Sequence, residues 1–422
     1  MHRELSFKNQ LDISSLKISL FDFLKYSLLF TPSITFGLLK SEIFPWAIII
    51  SLFGFKTIDK KFLAIFFYLL IATIASIIAY GLTDNLRSLF SYLNVLMAFS
   101  FILTLSNLEV LKVLKVVKII FGILVIIGLL QHFNLIGFAD PLLKYLIPRG
   151  SASALIEANR GVRILSSEPA RAGSEIFFLY LILRYTIIKK RFRDYSDYLL
   201  IAFILIVIKS FMIFTLVLFF KFLNLKIKNF LGLVIVIMAL GYFQFLPGDG
   251  RVIKVLQTIT ELGNWVNVWE FLLNTSGHRI LTIYSSYTYA FKEILGAGLG
   301  NWFNGSIDAI RSTGIDISKL RYFQTYGGGG FIGTRSSGFL ANVALELGLF
   351  GLIIFSWYLL SYIKRFWKNN SDWRKIVTVF MIKILFLGSV GHPGSWITLA
   401  VLFRYYNSPN KIQNELWTLN SP

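Results

Sequence analysis

The chain has 422 residues, of which 55% are hydrophobic, 16% aromatic and only 15% charged. That balance leaves too little polar surface for a soluble globule of this length, and several apolar runs are long enough to cross a bilayer. A net charge of +20 points to nucleic acid in a soluble protein. Here much of it falls in short loops between apolar runs, as cytoplasmic loops do, so nucleic acid is excluded as the partner.

The N-terminus is mixed in charge, lacks a small-residue cleavage site after a compact apolar core, and is expected to be retained. Apolar segments follow at 18–38, 43–55, 62–80, 89–106, 113–137, 173–188, 196–208, 211–223, 228–246, 337–361, 375–391 and 395–405. They predict an all-α polytopic membrane protein with about twelve transmembrane helices in one integral membrane domain, residues 1–422. Basic clusters such as Lys56/Lys60/Lys61, Lys112/Lys115/Lys118 and Lys189/Lys190/Arg191/Arg193 recur after every second segment and assign that face, with both termini, to the cytoplasm. Only Lys209 and Ser210 separate 196–208 from 211–223, which predicts a kinked or re-entrant hairpin with Lys209 turned toward protein or water.

Two long outer loops remain, at 138–172 and 247–336. Their cations are mostly arginine, including Arg160, Arg163, Arg171, Arg279 and Arg335. A guanidinium fork matches phosphate or carboxylate with two hydrogen bonds, whereas an ammonium is a point charge. The alternative is pairing with loop acids such as Asp308 and Asp316 or with lipid headgroups. The first loop ends in GVRILSSEPARAGSE, residues 161–175, at the mouth of a membrane helix. Glu168 there is either a base in a partly desolvated pocket or an acid favoured at a helix N-terminus before Pro169.

In the second loop, Trp265, Tyr284 and Tyr287 suit sugar rings or a membrane-interface belt. Thr275-Ser276-Gly277-His278-Arg279 precedes an amphipathic helix, and His278 is a base or a phosphate-binding cation. Glycines 296, 298 and 300 permit a close turn, and Tyr326 with four following glycines reads as a hinge or lid. Ser336 and Ser337 are adequate helix caps, and Glu346 is expected to face the bundle and pair with Lys383 or an arginine. There is no cysteine, no Asp-x-Asp and no His pair at ligand spacing, so neither metal nor cofactor is expected.

The order RILSSEPARAGSEIF, SGHR leading into ILTIYSSYTYAFKEILGAGLGNW, and SSGFLANVALELGLFGL, over residues 160–361, resembles the O-antigen polymerase and O-antigen ligase superfamily. The resemblance implies a polytopic GT-C-type glycosyltransferase of the bacterial inner membrane, working on the periplasmic side. Its donor and acceptor would be undecaprenyl-diphosphate-linked oligosaccharides, with room for a chain-length regulator protein as partner. Ligases carry a His-Asn pair where this chain has Ser337 and Gly338, which favours a Wzy-type polymerase over transfer of glycan to lipid A core. On that reading Arg163 and Arg279, with Arg160, Arg171 and Arg335, clamp the diphosphate, while Glu168 or His278 orients or deprotonates the acceptor hydroxyl. A flippase would show internal repeats and short outer loops, and an envelope scaffold would need no charged pocket.

Overall fold

A computed structural model of the chain describes residues 16–34, 45–54, 59–137, 140–147, 161–186, 190–222, 278–367, 371–387 and 391–407. Every regular element among these is helical. Four helices are long and apolar enough to cross a bilayer: α3 (Lys60–Tyr80), α4 (Asn85–Thr104), α5 (Asn107–His132) and the first 26 residues, Phe339–Lys364, of α13 (Phe339–Trp367). The remaining expected spans form shorter or less apolar helices, except 228–246, which lies outside the described residues. The chain is therefore a helical, membrane-embedded protein with four helices of spanning length among its described residues.

Two compact units divide the chain, residues 1–57, 97–221 and 393–422 in the first, and 58–96 and 222–392 in the second. In the first, α5 packs against α1 (Leu20–Phe30), α7 (Pro169–Thr186) and α15 (Gly394–Asn407). A capping box starts α5: Ser106 accepts from the Glu109 N–H at 3.3 Å, and Glu109 accepts from the Ser106 N–H at 3.1 Å. Val113, Val117, Ile120 and Leu124 are buried on one side, while Ile119, Ile123 and Ile126 are exposed on another, the stripe expected of a helix flanked by lipid.

The predicted hairpin is α8 (Lys190–Phe203), a π-helical turn Ile204–Ile208, and α9 (Phe211–Phe222). Lys209 adopts left-handed backbone at φ 53 and its N–H bonds Ile204 O at 2.8 Å, so the π turn closes on itself before the chain reverses. Asp197, nearly fully buried, takes Arg184 Nε at 2.8 Å, Arg184 Nη2 at 3.2 Å and Lys221 Nζ at 2.8 Å, and also accepts from Tyr180 OH. That network ties α7, α8 and α9 through one carboxylate whose charge is compensated.

In the second unit α13 packs on α3, on α10 (Arg279–Lys292), on α11 (Trp302–Arg311) and on α14 (Ser371–Phe386). Tyr92, Phe339 and Phe355 form a buried aromatic triad with ring centroids 5.6–5.9 Å apart. Phe350, Ile353, Trp357 and Leu360 project at helical spacing from the same helix and are exposed. Within the large loop, α10, α11 and the short α12 (Arg321–Gly327) enclose a small core of Leu281, Ile310, Ile317, Leu320 and Phe323. The loop is thus folded around apolar contacts of its own. The glycine run after Tyr326 is a helix stop rather than the expected hinge: Gly328 is left-handed at φ 56, and Gly329 N–H returns to Phe323 O at 3.0 Å.

Candidate functional site

In the first unit, residues 161–168 are held by backbone clamps. Ile164, at φ 57, donates its N–H to Gln131 Oε1 at 2.7 Å and accepts from Gln131 Nε2 at 3.0 Å. A left-handed β-branched residue is strained, and the two-pronged amide of Gln131 from α5 holds it. Val162 N–H reaches Val207 O at 3.2 Å, and any side chain at Gly161 would collide with Ile208 O. Glu168 precedes Pro169, the first residue of α7, and its carbonyl accepts from Arg171 and Ala172 N–H, each at 3.1 Å. That is the cap position, where an acidic residue is favoured. Arg171 Nη1 bonds Ser167 Oγ at 2.9 Å. The buried carboxylate of this stretch is Glu175, which accepts from Ser166 Oγ at 2.5 Å. Arg163 is partly buried on the same loop.

The second unit holds His278, Arg279, Tyr284, Tyr287 and Arg335. Arg279 begins α10 with His278 as cap, and the His278 ring lies 4.0 Å from that of Tyr322. Tyr287 is an anchor rather than a free sugar platform: its hydroxyl donates to Leu385 O of α14 at 2.9 Å, and burial pushes its phenol up. Tyr284 is exposed. Arg160 and Trp265 lie outside the described residues.

Arg335 has the most developed surroundings. Its Nη2 donates to Glu346 Oε1 at 3.0 Å and to Ser88 Oγ, and Ser88 Oγ in turn donates to Glu346 Oε1 at 3.2 Å. The guanidinium carbon lies 5.6 Å from the Trp302 ring, and Trp302 Nε1 donates to Asp84 Oδ2 at 2.9 Å. Burial alone would lower the Arg335 pKa, but the Glu346 carboxylate beside it wins and raises it. The side chain is 22% exposed whereas Glu346 is 0% exposed. The expected arginine partner of Glu346 is therefore Arg335, and the expected diphosphate-binding Arg335 has most of its charge neutralised by that carboxylate.

A break in α13 sits beside Glu346. Gly348 departs from helical geometry at φ 62 and ψ −159, and a side chain there would meet Ile294 O at 2.1 Å. The glycine-rich turn fills the gap, since Ala297 N–H bonds Leu345 O at 2.8 Å and Phe350 N–H bonds Ile294 O at 3.3 Å. Two main-chain groups beside the break are thereby paired, as a bilayer requires. The far end of the turn is fixed by Ser76 Oγ and Asn85 Nδ2, which donate to Leu299 O at 2.9 and 2.7 Å. Sequence reasoning missed Ser88, Asn85 and Tyr92 because nothing in an apolar run distinguishes an inward-facing polar residue from a tolerated one. The signal available was the rarity of Asn85, Ser88, Ser91 and Asn94 recurring at helical spacing. Compared with protein-family models, with curated proteins and with solved structures, the chain matches none.

Proposed function

We propose that this chain is a GT-C-type membrane glycosyltransferase that polymerises oligosaccharide repeat units carried on undecaprenyl diphosphate, on the periplasmic face of a bacterial inner membrane and without a metal ion. One observation carries the reading: a fully buried carboxylate, Glu346, is kept company by Arg335 and Ser88 on one oxygen, while the other oxygen has no partner among the described residues. Apolar residues fill such a position at lower cost, because desolvating two charges consumes most of their attraction. A carboxylate retained there with a spare lone pair is suited to orient a hydroxyl and take its proton as the glycosidic bond forms.

On this reading the carboxylate role passes from Glu168 to Glu346, and Arg335 serves the carboxylate rather than the diphosphate. Negative charge building on the departing diphosphate is met by a guanidinium fork, a role for Arg279 in the same unit as Glu346; Arg160, Arg163 and Arg171 carry it as expected from the sequence alone. In the reaction the acceptor hydroxyl oxygen bonds the anomeric carbon, the carbon–oxygen bond to diphosphate breaks with its electron pair, and the hydroxyl proton leaves to the carboxylate.

The test uses purified protein in lipid nanodiscs with the lipid-linked repeat unit alone and no ATP. A ladder of lengthening glycans is expected. Product only after lipid A core is supplied makes the protein a ligase, and no product with either acceptor removes the glycosyltransferase reading.

A further inference from the structure

Between Thr334 and Glu346 five buried polar atoms have no hydrogen-bonding partner among the described residues: Thr334 Oγ1, Arg335 Nε, Ser336 Oγ, Asn342 Oδ1 and Glu346 Oε2. Tyr92 adds a sixth, the hydroxyl of a ring packed against Phe339 and Phe355. Thr334, Ser336, Asn342, Glu346 and Tyr92 are each more than nine-tenths buried. Such atoms cost stability unless something bonds them, so their concentration on one short stretch asks for a ligand.

The stretch is otherwise held in place. Thr334 N–H donates to Ser306 Oγ at 2.9 Å, and Asn342 Nδ2 donates to both Ser336 O and Gly338 O at 2.6 Å. Because both partners of that amide nitrogen are carbonyls, the Asn342 side chain cannot be flipped, and its oxygen is the atom left over. Asn342 and Glu346 lie one turn apart on α13 and so share a face. The Ser336 hydroxyl caps no helix, since Gly338 O takes the Asn342 N–H that opens α13.

The chemical mixture identifies the ligand class. Two of the six atoms, Asn342 Oδ1 and Oε2 of the carboxylate that Arg335 pairs with, only accept; Arg335 Nε only donates; the three hydroxyls do both. A diphosphate offers acceptors alone and would set its oxygens against two acceptors. A sugar hydroxyl donates and accepts and can satisfy every member of the set. We infer that Thr334, Ser336, Asn342 and Tyr92 form, with the Arg335–Glu346 pair, a recognition subsite for the hydroxyl groups of a neutral sugar, and that the diphosphate binds elsewhere. The inference rests on the glycosyltransferase reading for its place in a reaction, but not for its ligand chemistry.

The chain has no cysteine, so Ser336→Cys provides a single reporter in the full-length protein in nanodiscs. A hydrophilic methanethiosulfonate is expected to modify it, and free neutral oligosaccharide, released from the lipid-linked pool of the source cell, to slow modification about tenfold when supplied at about ten times its Kd, since the rate falls by a factor of one plus the ratio of ligand concentration to Kd. Inorganic pyrophosphate is expected to leave the rate unchanged. No modification, modification that nothing slows, or protection by pyrophosphate alone overturns the inference; Thr334→Cys is the second reporter if Ser336→Cys fails to fold. Ser336→Ala provides an independent readout. A purely structural hydroxyl without a partner predicts an equal or higher melting temperature and unchanged kinetics. The subsite predicts the same melting behaviour with the apparent KM for the acceptor glycan raised about three- to tenfold and kcat changed less. Protection by oligosaccharide without ladder formation upholds the subsite and defeats the polymerase reading, and ladders without protection do the reverse.

Discussion

Replacing Arg335 by Met removes the cation from a buried carboxylate. Glu346 is 0% exposed and would keep the Ser88 hydroxyl, at 3.2 Å. Stripping one member from a buried pair costs about 3–5 kcal/mol. Arg335 is itself 22% exposed, which shifts the expectation to the lower end, about 3 kcal/mol. At about 2–4 °C per kcal/mol for 150–250 residues, the melting temperature falls by about 6–12 °C. Intrinsic fluorescence melts in nanodiscs measure this directly. The companion variant Arg335→Met/Glu346→Leu removes both charges and is expected to recover most of the loss while remaining inactive, because a buried pair exchanged for apolar residues of similar volume is close to neutral. The reasoning is refuted by a single variant that melts like the parent, or by a double variant as unstable as the sum of Arg335→Met and Glu346→Leu.

Gly348→Ala places a Cβ 2.1 Å from Ile294 O at φ 62. A conformation with φ 62 and ψ −159 is essentially reserved for glycine and costs an alanine about 1–3 kcal/mol before the collision is counted. Folded yield by size-exclusion chromatography is expected to collapse, whereas Gly122→Ala, with nothing within 4 Å, is expected to behave like the parent or better. Gln131→Leu leaves the Ile164 N–H and C=O without their clamp, at about 1–3 kcal/mol each, and lowers the melting temperature accordingly. Arg163→Ala and Arg279→Ala, tested separately, should each slow glycan ladder formation by on the order of 10²-fold or more with expression intact; normal rates in both remove them from the diphosphate assignment. Ladder formation should persist in EDTA, and strict dependence on added Mg²⁺ or Mn²⁺ contradicts the arginine scheme.

The long spans were legible because hydropathy is a sum over many residues: α3, α4, α5 and α13 lie close to the apolar runs that predict them. The reversal at Lys209 and Ser210 was legible for the same reason, as two apolar runs too short to be separate spans. The π turn that makes the reversal was not, because Ile204–Ile208 has no residue that distinguishes it from an α-helix. The close-packing role of glycines 296, 298 and 300 was visible only as permission for a turn; what the turn fills depends on Gly348, some fifty residues later. Likewise the Arg335–Glu346 pair was half legible. A carboxylate inside an apolar run demands a partner, but the choice between Lys383 and an arginine is decided by how the chain enters α13 at Thr334–Gly338, which no local pattern encodes. Glu168 and Tyr287 also have positions that residue type alone does not give: one stands at the start of α7 and the other bonds a carbonyl of α14.

The interruption of α13 makes the second half of that helix a dependant of a segment translated before it. Residues 294–297 supply the two main-chain partners that the helix lacks around Gly348, so shortening the large loop there would strand peptide groups in hydrocarbon. The chain emerges in the same order, with the residues of the glycine turn made before Leu345 to Phe350. A mutation in the loop can thus surface as a failure of membrane integration.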